Sequence, residues 1–390
     1  MPIINRVSEM QDEIAGWRRE LHQIPELNFD VVQTASFVES KLRAFGVDEI
    51  VKGLGRTGVV GIIKGSRGEG PTVGLRADMD ALPITEKTGK TWASKSAGKM
   101  HACGHDGHTA MLLGAAKYLA ETRNFAGSVA VIFQPAEEGG GGGREMVKDG
   151  MMDKFAISEV YGMHNLPGLD AGKFATRNGP IMASTDEFRV TVKGRGGHAA
   201  MPHVTIDPVM ISAQIITALQ TIASRNVDPL QSSVVSVTIL KAGDASNVIP
   251  NEASFAGTIR TLNAEMRELS KKRLKEISEG VAAALGAEAS VTIHTGYPVT
   301  QNHGAQTGFA VAVAEDVAGT QNVDGAVNPM MGGEDFSYML NARPGNFIFI
   351  GNGDTAALHN AAYDFNDEII PHGVSYWVRL AEQRLESLGA

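Results

Sequence analysis

A chain of 390 residues, 43% of them apolar and 20% charged, is long enough for two domains with sizeable cores and is neither disordered nor fibrous in composition. The net charge of −9 argues against nucleic acid and anionic membranes as partners, since the mean field repels both. A single cysteine excludes an intramolecular disulfide, no apolar run reaches the length of a membrane span, and the opening residues lack the apolar core of a secretory signal, so a reducing cytoplasm is the expected location.

Ile4, Val7, Met10, Ile14, Trp17 and Leu21 recur at helical spacing and predict a helix over 4–22, stopped by Pro25. A second amphipathic helix is expected over 31–45, ended by Gly46. The apolar runs 59–63 and 72–77 read as paired strands joined by the turn-rich stretch 65–70. The second of them delivers Asp78 and Asp80 at its C-terminal end, the edge of an open α/β sheet where ligands bind.

The nonapeptide 100–108, Met-His-Ala-Cys-Gly-His-Asp-Gly-His, then gathers the lone cysteine, three histidines and an aspartate. Thiolate and imidazole are ligands that a borderline-soft ion such as Zn²⁺ accepts, and Cys103 and His105 can face one ion if Gly104 makes a tight loop into the apolar helix that follows. Taken alone, the stretch also fits an inert buried cysteine among solvated histidines. A buried strand over 128–133 delivers Glu137 and Glu138, and 160–165 repeats the pattern with His164. The glycine run 139–143 has no lysine and serine/threonine after it, so it reads as backbone passing close to a crowded site and not as a phosphate cradle.

Near residue 184 the texture changes. A strand at 187–193, a helix at 206–224, strands at 233–240 and 253–261, a charged helix at 264–285 and a strand at 289–294 give the order β-α-β-β-α-β, the split βαβ arrangement. After residue 303 the α/β pattern returns, with a helix over 305–317, the run Met-Gly-Gly-Glu-Asp-Phe-Ser at 331–337, a strand at 346–351, His359 in a loop and a last helix over 372–387. The fold class is therefore α/β: a larger mixed-sheet domain, discontinuous over 1–184 and 303–390, with a smaller ferredoxin-like α+β domain inserted at 185–302.

The runs 75–84, 100–108, 133–139, 162–165, 194–200, 247–250 and 331–336, in order over nearly the whole chain, resemble the aminoacylase/carboxypeptidase family of di-metal hydrolases, and within it the hippurate hydrolase and auxin-conjugate (indole-acetyl-amino-acid) hydrolase branch. The resemblance implies a zinc-exopeptidase-like catalytic domain and an inserted domain that serves as lid and homodimer contact. It implies Cys103, His105, Glu138, His164 and His359 as ligands of two divalent ions per subunit, Zn or Mn with Co or Ni as substitutes. The Cys103 thiolate takes the bridging position that a carboxylate fills elsewhere in the family. Most relatives carry a histidine where this chain has Asp78, and His105 supplies the imidazole instead.

By the same resemblance Asp80 steers a ligand from behind, a role open to Asp106 as well, and Glu137 is the general base that takes a proton from metal-activated water and returns it to the leaving amine. His198 of the inserted domain hydrogen-bonds the developing oxyanion, and Asn247 and Arg260 hold the substrate carboxylate. A turn-capping His198 and a sheet-surface ion pair for Arg260 are the structural alternatives, and His101, His108, His203, His303 and His372 stay outside the ligand set. The expected function is a metal-dependent amidohydrolase that cleaves N-acyl-L-amino acids, hippurate-like, N-acetyl or indole-acetyl. A dipeptidase or carboxypeptidase on the same fold is one alternative and a non-catalytic small-molecule binder the other, though a binder has no need of Glu137 beside a full ligand set. The expected partners are a small-molecule substrate and a second copy of the chain.

Overall fold

The computed structural model describes residues 3–389. The chain divides into two compact units, one running to Ile181 and resuming over Gln301–Asn328 and from Asp335, the other spanning Met182–Thr300 together with Pro329–Glu334. The segment Pro329–Glu334, which the sequence reading left with the larger domain, is drawn to the smaller unit by backbone pairing: the Ala183 N–H donates to the carbonyls of Met330 (3.1 Å) and Gly332 (2.9 Å).

The larger unit is built on an eight-stranded mixed sheet. Its centre is a parallel set in the spatial order Ser128–Gln134, Thr72–Asp78, Ile157–Pro167 and Gly345–Gly353. These strands are buried along almost their whole length, which explains their near-continuous apolar sequences. Helices Gln11–His22, Val32–Ala44, His105–Thr122 and Ile370–Gly389 supply the rest of the core, with Ile14, Trp17, Val38, Leu42, Leu112, Trp377 and Leu380 packed among the strand residues Val73, Leu75 and Val131.

Within the larger unit two expected elements change. The strands at 58–64 and 72–78 are not neighbours: Ser128–Gln134 lies between them, antiparallel to the first and parallel to the second. The turn-rich linker makes no hairpin because its backbone pairs elsewhere, Gly65 N–H donating to the Gly127 carbonyl (2.9 Å) and Arg67 N–H to that of Phe125 (3.1 Å). The first helix is also two, Asn5–Glu9 and Gln11–His22, because the Met10 N–H turns back to the Val7 carbonyl and its ψ of −3° leaves the helical path.

The smaller unit has the expected β-α-β-β-α-β order. Its antiparallel sheet runs Ser233–Ala242, Glu252–Thr261, Ser184–Lys193, Glu288–Thr295. Strand Ser184–Lys193 alternates buried and more exposed residues, so one face meets the core. Helices Pro208–Leu219 and Ala264–Ala284 cover that face, packing Ile211, Ile215 and Leu274 on Phe188, Val190 and Phe255. The apolar run expected as one helix over 206–224 is capped by Asp207, ends at Leu219 and is followed by a short π-helical turn, Ile222–Asn226.

Gly345 opens the strand beside Ile157–Pro167, and a Cβ there would lie 1.9 Å from the Val160 carbonyl oxygen. Gly345→Ala is expected to cost about 2–3 kcal/mol by forcing the parallel pair apart. A urea titration of the variant against the parent measures it, and an unchanged midpoint would contradict this packing.

Candidate metal centre

The parallel strands bring the sequence-derived residues to one edge of the larger sheet. Asp78 ends its strand and Asp80 follows by two, Glu137 and Glu138 follow the strand ending at Gln134, and His164 lies near the end of Ile157–Pro167. His105 opens the helix His105–Thr122, and His359 lies in the loop beyond Gly345–Gly353. This is the carboxyl edge of the parallel set, where neighbouring strand connections diverge and leave room for a ligand.

Local backbone conformation aims these side chains. Gly104 caps the helix with φ +87°, and a Cβ there would meet Asn165 Nδ2 at 2.3 Å and the Tyr363 hydroxyl at 2.5 Å, so only glycine permits the turn between Cys103 and His105. Ala136, just before the paired glutamates, adopts φ +55°, and His359 itself adopts φ +62°. Left-handed conformations at non-glycine residues cost energy and persist where surrounding contacts over-determine them. The His359 N–H donates to the Ala102 carbonyl at 2.8 Å, which ties its loop to the Cys103 loop. In the glycine run, a Cβ on Gly142 would stand 1.7 Å from the Pro135 carbonyl oxygen, the close backbone approach expected of that stretch.

Ligand-type atoms of Cys103, Glu138 and His359 lie within 4.8 Å of one another, as do those of His105, Glu137 and Glu138, and those of Asp78, His105, His108 and His164. Donors around a single ion at about 2.0–2.3 Å stand at most about 4.6 Å apart, so these spacings are near coordination range. The Cys103 sulfur is 3.4 Å from His164 Nε2 and His359 Nε2 is 3.3 Å from Glu138 Oε1. All five side chains expected as ligands thus converge, with Glu138 and His105 each shared by two of these groups.

The donor chemistry fits a cation. His105 Nδ1–H donates to the Asp80 carbonyl at 2.8 Å, which leaves its fully buried Nε2 without a hydrogen-bond partner, 3.8 Å from Asp78 Oδ2. His164 Nδ1–H likewise donates to the Asn165 carbonyl at 2.7 Å and turns Nε2 toward the sulfur. Such backbone-anchored imidazoles are the common arrangement of metal-binding histidines. Burial, and then the charges of Glu138, Glu137 and Asp78, push the Cys103 thiol well up, and a cation would reverse that balance.

His108 belongs to the same cluster but both its nitrogens are taken. Nδ1–H donates to Asp78 Oδ1 at 2.6 Å, while Nε2 accepts from the Asn165 backbone N–H at 2.9 Å. The Asn165 side-chain amide donates to the Cys103 carbonyl at 2.7 Å and accepts from the Tyr363 hydroxyl at 2.8 Å. Asp80 accepts the backbone N–H of Glu137 on Oδ1 (2.9 Å) and of Glu138 on Oδ2 (3.1 Å).

Sequence reasoning missed the Arg76 network altogether. Fully buried, Arg76 donates to Asp78 Oδ2 (2.8 Å), Gln134 Oε1 (2.9 Å) and Asp335 Oδ1 (3.0 Å), and Asp335 Oδ2 accepts the Gly143 N–H at 2.8 Å. Burial raises the Asp335 carboxyl to about 6 against the pull of Arg76. The runs 75–84 and 331–336 contain both residues, but nothing in their spacing, 259 positions apart, signals the contact.

The other three candidates belong to the smaller unit. His198 is exposed on the two-residue strand Gly197–His198, paired with Val248–Ile249, and its Nδ1 accepts the Ala200 N–H at 3.1 Å, a turn cap as well as a free ring edge. Asn247 is exposed and its carbonyl accepts the Ala199 N–H at 3.1 Å. Arg260, half-buried in register with Thr185 and Val234, lines a cavity of about 330 Å³ with Glu187, Arg189, Thr258 and His294.

The sequence pattern of the Peptidase family M20/M25/M40 matches residues 74–383, which contain every group just described. The chain belongs to this family. Among its relatives, a hippurate hydrolase of Campylobacter jejuni is 41% identical over 386 residues, covering 99% of this chain and 100% of that protein. A thermostable carboxypeptidase of Saccharolobus solfataricus is 41% identical over 352 residues, 89% of this chain and 88% of its own. The M20 fold is seen directly in a dinuclear metal-binding peptidase from Bacillus subtilis, which superposes with a TM-score of 0.85 at 36% identity and covers 97% of this chain and 99% of that one.

If this M20 chain binds metal through Cys103, then Cys103→Ala should lower divalent-ion occupancy and Co²⁺ affinity at least ~10-fold while the protein remains folded. Metal analysis after dialysis, with circular dichroism as the fold control, checks it. Full occupancy in the variant would take Cys103 out of the ligand set.

Proposed function

We propose that the protein is a metal-dependent amidohydrolase that cleaves N-acyl-amino acids of the hippurate type into a carboxylic acid and a free amino acid. The observation that carries this reading is the convergence of five sulfur, nitrogen and oxygen donors beside a sixth side chain, Glu137, in a chain alignable end to end with a hippurate hydrolase.

Cys103, His105, Glu138, His164 and His359 would hold two divalent cations, Zn or Mn foremost with Co or Ni as substitutes. When bound, such ions supply Lewis acidity to the scissile carbonyl and lower the pKa of water. The protein's part begins with Asp80, whose carboxylate holds both glutamate N–H groups and so fixes how the two side chains diverge. Glu138 turns toward His359 and the sulfur, and Glu137, 7% exposed and next to it, takes a proton from the attacking water and returns it to the departing amine. His198 as oxyanion donor and Asn247 and Arg260 as holders of the substrate carboxylate are assigned on the family resemblance. A free buried thiol among the ligands suits the reducing conditions of a cytoplasm, and no helix among the described residues is long and apolar enough to cross a membrane.

A homodimer through the smaller unit is part of the proposal. Strand Ser233–Ala242 is a sheet edge that exposes Val234, Ile239 and Leu240, whereas the opposite edge, Glu288–Thr295, carries no exposed large apolar side chain. An unpaired apolar edge is the kind of surface that a second strand covers.

The relative named as a carboxypeptidase favours a second reading, in which the acyl group is itself an amino-acid residue. Hydrolysis of hippurate, N-acetyl-amino acids, indole-acetyl-aspartate and a dipeptide, by chelated protein and after Zn²⁺ or Mn²⁺ is restored, separates the two. Metal-restored cleavage of the N-acyl compounds is expected, and cleavage of the dipeptide alone would favour the peptidase. Glu137→Gln should retain its metal yet lose at least ~100-fold in kcat, and near-normal turnover would overturn the general-base role. Light scattering should give a dimer mass that Leu240→Lys lowers toward the monomer, and a monomeric parent protein would remove the dimer from the proposal.

A further inference from the structure

A second group of buried charges lies on the helix Gln11–His22 side of the cysteine loop, and no step above uses it. Arg18, His22, His101 and Asp106 are each at most 1% exposed. His22 Nδ1 donates to Asp106 Oδ2 at 2.8 Å, and its Nε2 lies 3.3 Å from Glu86 Oε2. Arg18 grips Asp367 with Nε (2.8 Å) and Nη2 (2.9 Å) and points Nη1 at Asp106 Oδ2, 3.7 Å away. Glu86 in turn accepts the Ser94 N–H at 2.6 Å, so the cluster also organises the irregular segment after Pro83.

Burying this many ionisable groups is expensive unless each is held to a partner, and removing one partner leaves an uncompensated charge. The cluster converges on a particular place. Asp106 directly follows His105 in the first turn of its helix, where an acidic side chain also meets the positive helix end. His101 precedes Cys103 by two residues, its ring 6.2 Å from that of His22. Neither nitrogen of His101 has a hydrogen-bond partner, and Asp106 Oδ1 and Arg18 Nη1 have none either, so the stiffness of this region rests on the bonds of His22 and Arg18. Against the cost of burial, Asp106 and Glu86 raise the imidazole of His22 to about 9, so both its nitrogens carry protons at neutral pH and both donate.

We propose that His22 is a positioning residue for the metal centre: by donating to Asp106 it locks the first turn of the helix His105–Thr122 and so sets the direction from which Cys103 and His105 meet a cation. The inference rests on the metal-centre reading above. Support from behind a ligand typically changes metal affinity by about 10–100-fold, well beyond what a distant packing contact does.

The two amide replacements separate this role from a merely structural one. The amide nitrogen of asparagine falls near the Nδ1 position and that of glutamine near Nε2, so His22→Asn keeps the bond to Asp106 and His22→Gln keeps only the bond to Glu86. Each variant, as the full chain stripped of metal, is titrated with Co²⁺, following the thiolate-to-cobalt charge-transfer absorption that reports on Cys103, and its metal-free melting temperature is recorded. The expected result is a loss of ~10-fold or more in Co²⁺ affinity, with a shifted absorption band, for His22→Gln and near-parental behaviour for His22→Asn, although both lower the melting temperature. Equal Co²⁺ binding by both variants and the parent, or equal losses that track melting temperature, would overturn the proposal. If His22→Gln does not fold, Asp106→Leu, which has no atom to accept the His22 bond, provides the same comparison against His22→Asn. A parent protein that binds no Co²⁺ would instead overturn the metal-centre reading itself, an outcome visible before any variant is made.

Discussion

The site depends on one residue lying between three pieces of chain. Asp80 spends both carboxylate oxygens on the N–H groups of Glu137 and Glu138 and its carbonyl on His105. A single aspartate just past a strand end therefore sets the spacing between a helix start and a strand-end loop that approach from different parts of the sheet. Each carboxylate oxygen accepts one backbone N–H and the His105 ring lies 3.6 Å from Oδ1, which together offset part of the burial that pushes this carboxyl up. The strained φ of Ala136 becomes intelligible in that light: the backbone is bent so that two consecutive N–H groups face the same carboxylate.

Much of this was legible from residue type and position. Aspartate, glutamate and histidine at the ends of apolar strands, with a cysteine and a histidine at the turn into a helix, point to a metal, because a side chain at the carboxyl end of a parallel strand has nowhere to go but the crevice. The β-α-β-β-α-β order of the smaller unit was equally readable, since its strands alternate cleanly and its helices carry strong caps at Asp207 and Asn263. Strand adjacency was not. Residues 58–64 and 72–78 are close in sequence and divided by turn residues, yet their partner comes from 128–134, because the linker's backbone bonds were satisfied by the 123–128 loop.

The supporting network was hidden for a different reason. Arg76, Gln134, Gly143 and Asp335 make sense only once two strands, a helix start and a loop are folded together, and none carries a local signature. The nonapeptide showed three histidines of similar appearance, and only the hydrogen bonds divide them. His105 keeps an unpartnered nitrogen, His108 has spent both, and His101 faces the cluster around Asp106. Ligand and support are therefore decided by bonding partners, which pattern alone does not display.

The path from Tyr363 to Asp78 has a direction. A backbone N–H cannot accept, so the Asn165 amide nitrogen forces a lone pair onto His108 Nε2 and thereby a proton onto Nδ1, which must point at Asp78. The Tyr363 hydroxyl settles the rest of the orientation by giving its hydrogen to the Asn165 side-chain oxygen, which turns the amide hydrogens toward Cys103 and His108. The proton on His108 is thus assigned by one peptide group whose polarity is covalent. The row therefore has a fixed polarity that ends on Asp78, which accepts from His108 as it does from Arg76 and is held as a carboxylate against the cost of its burial.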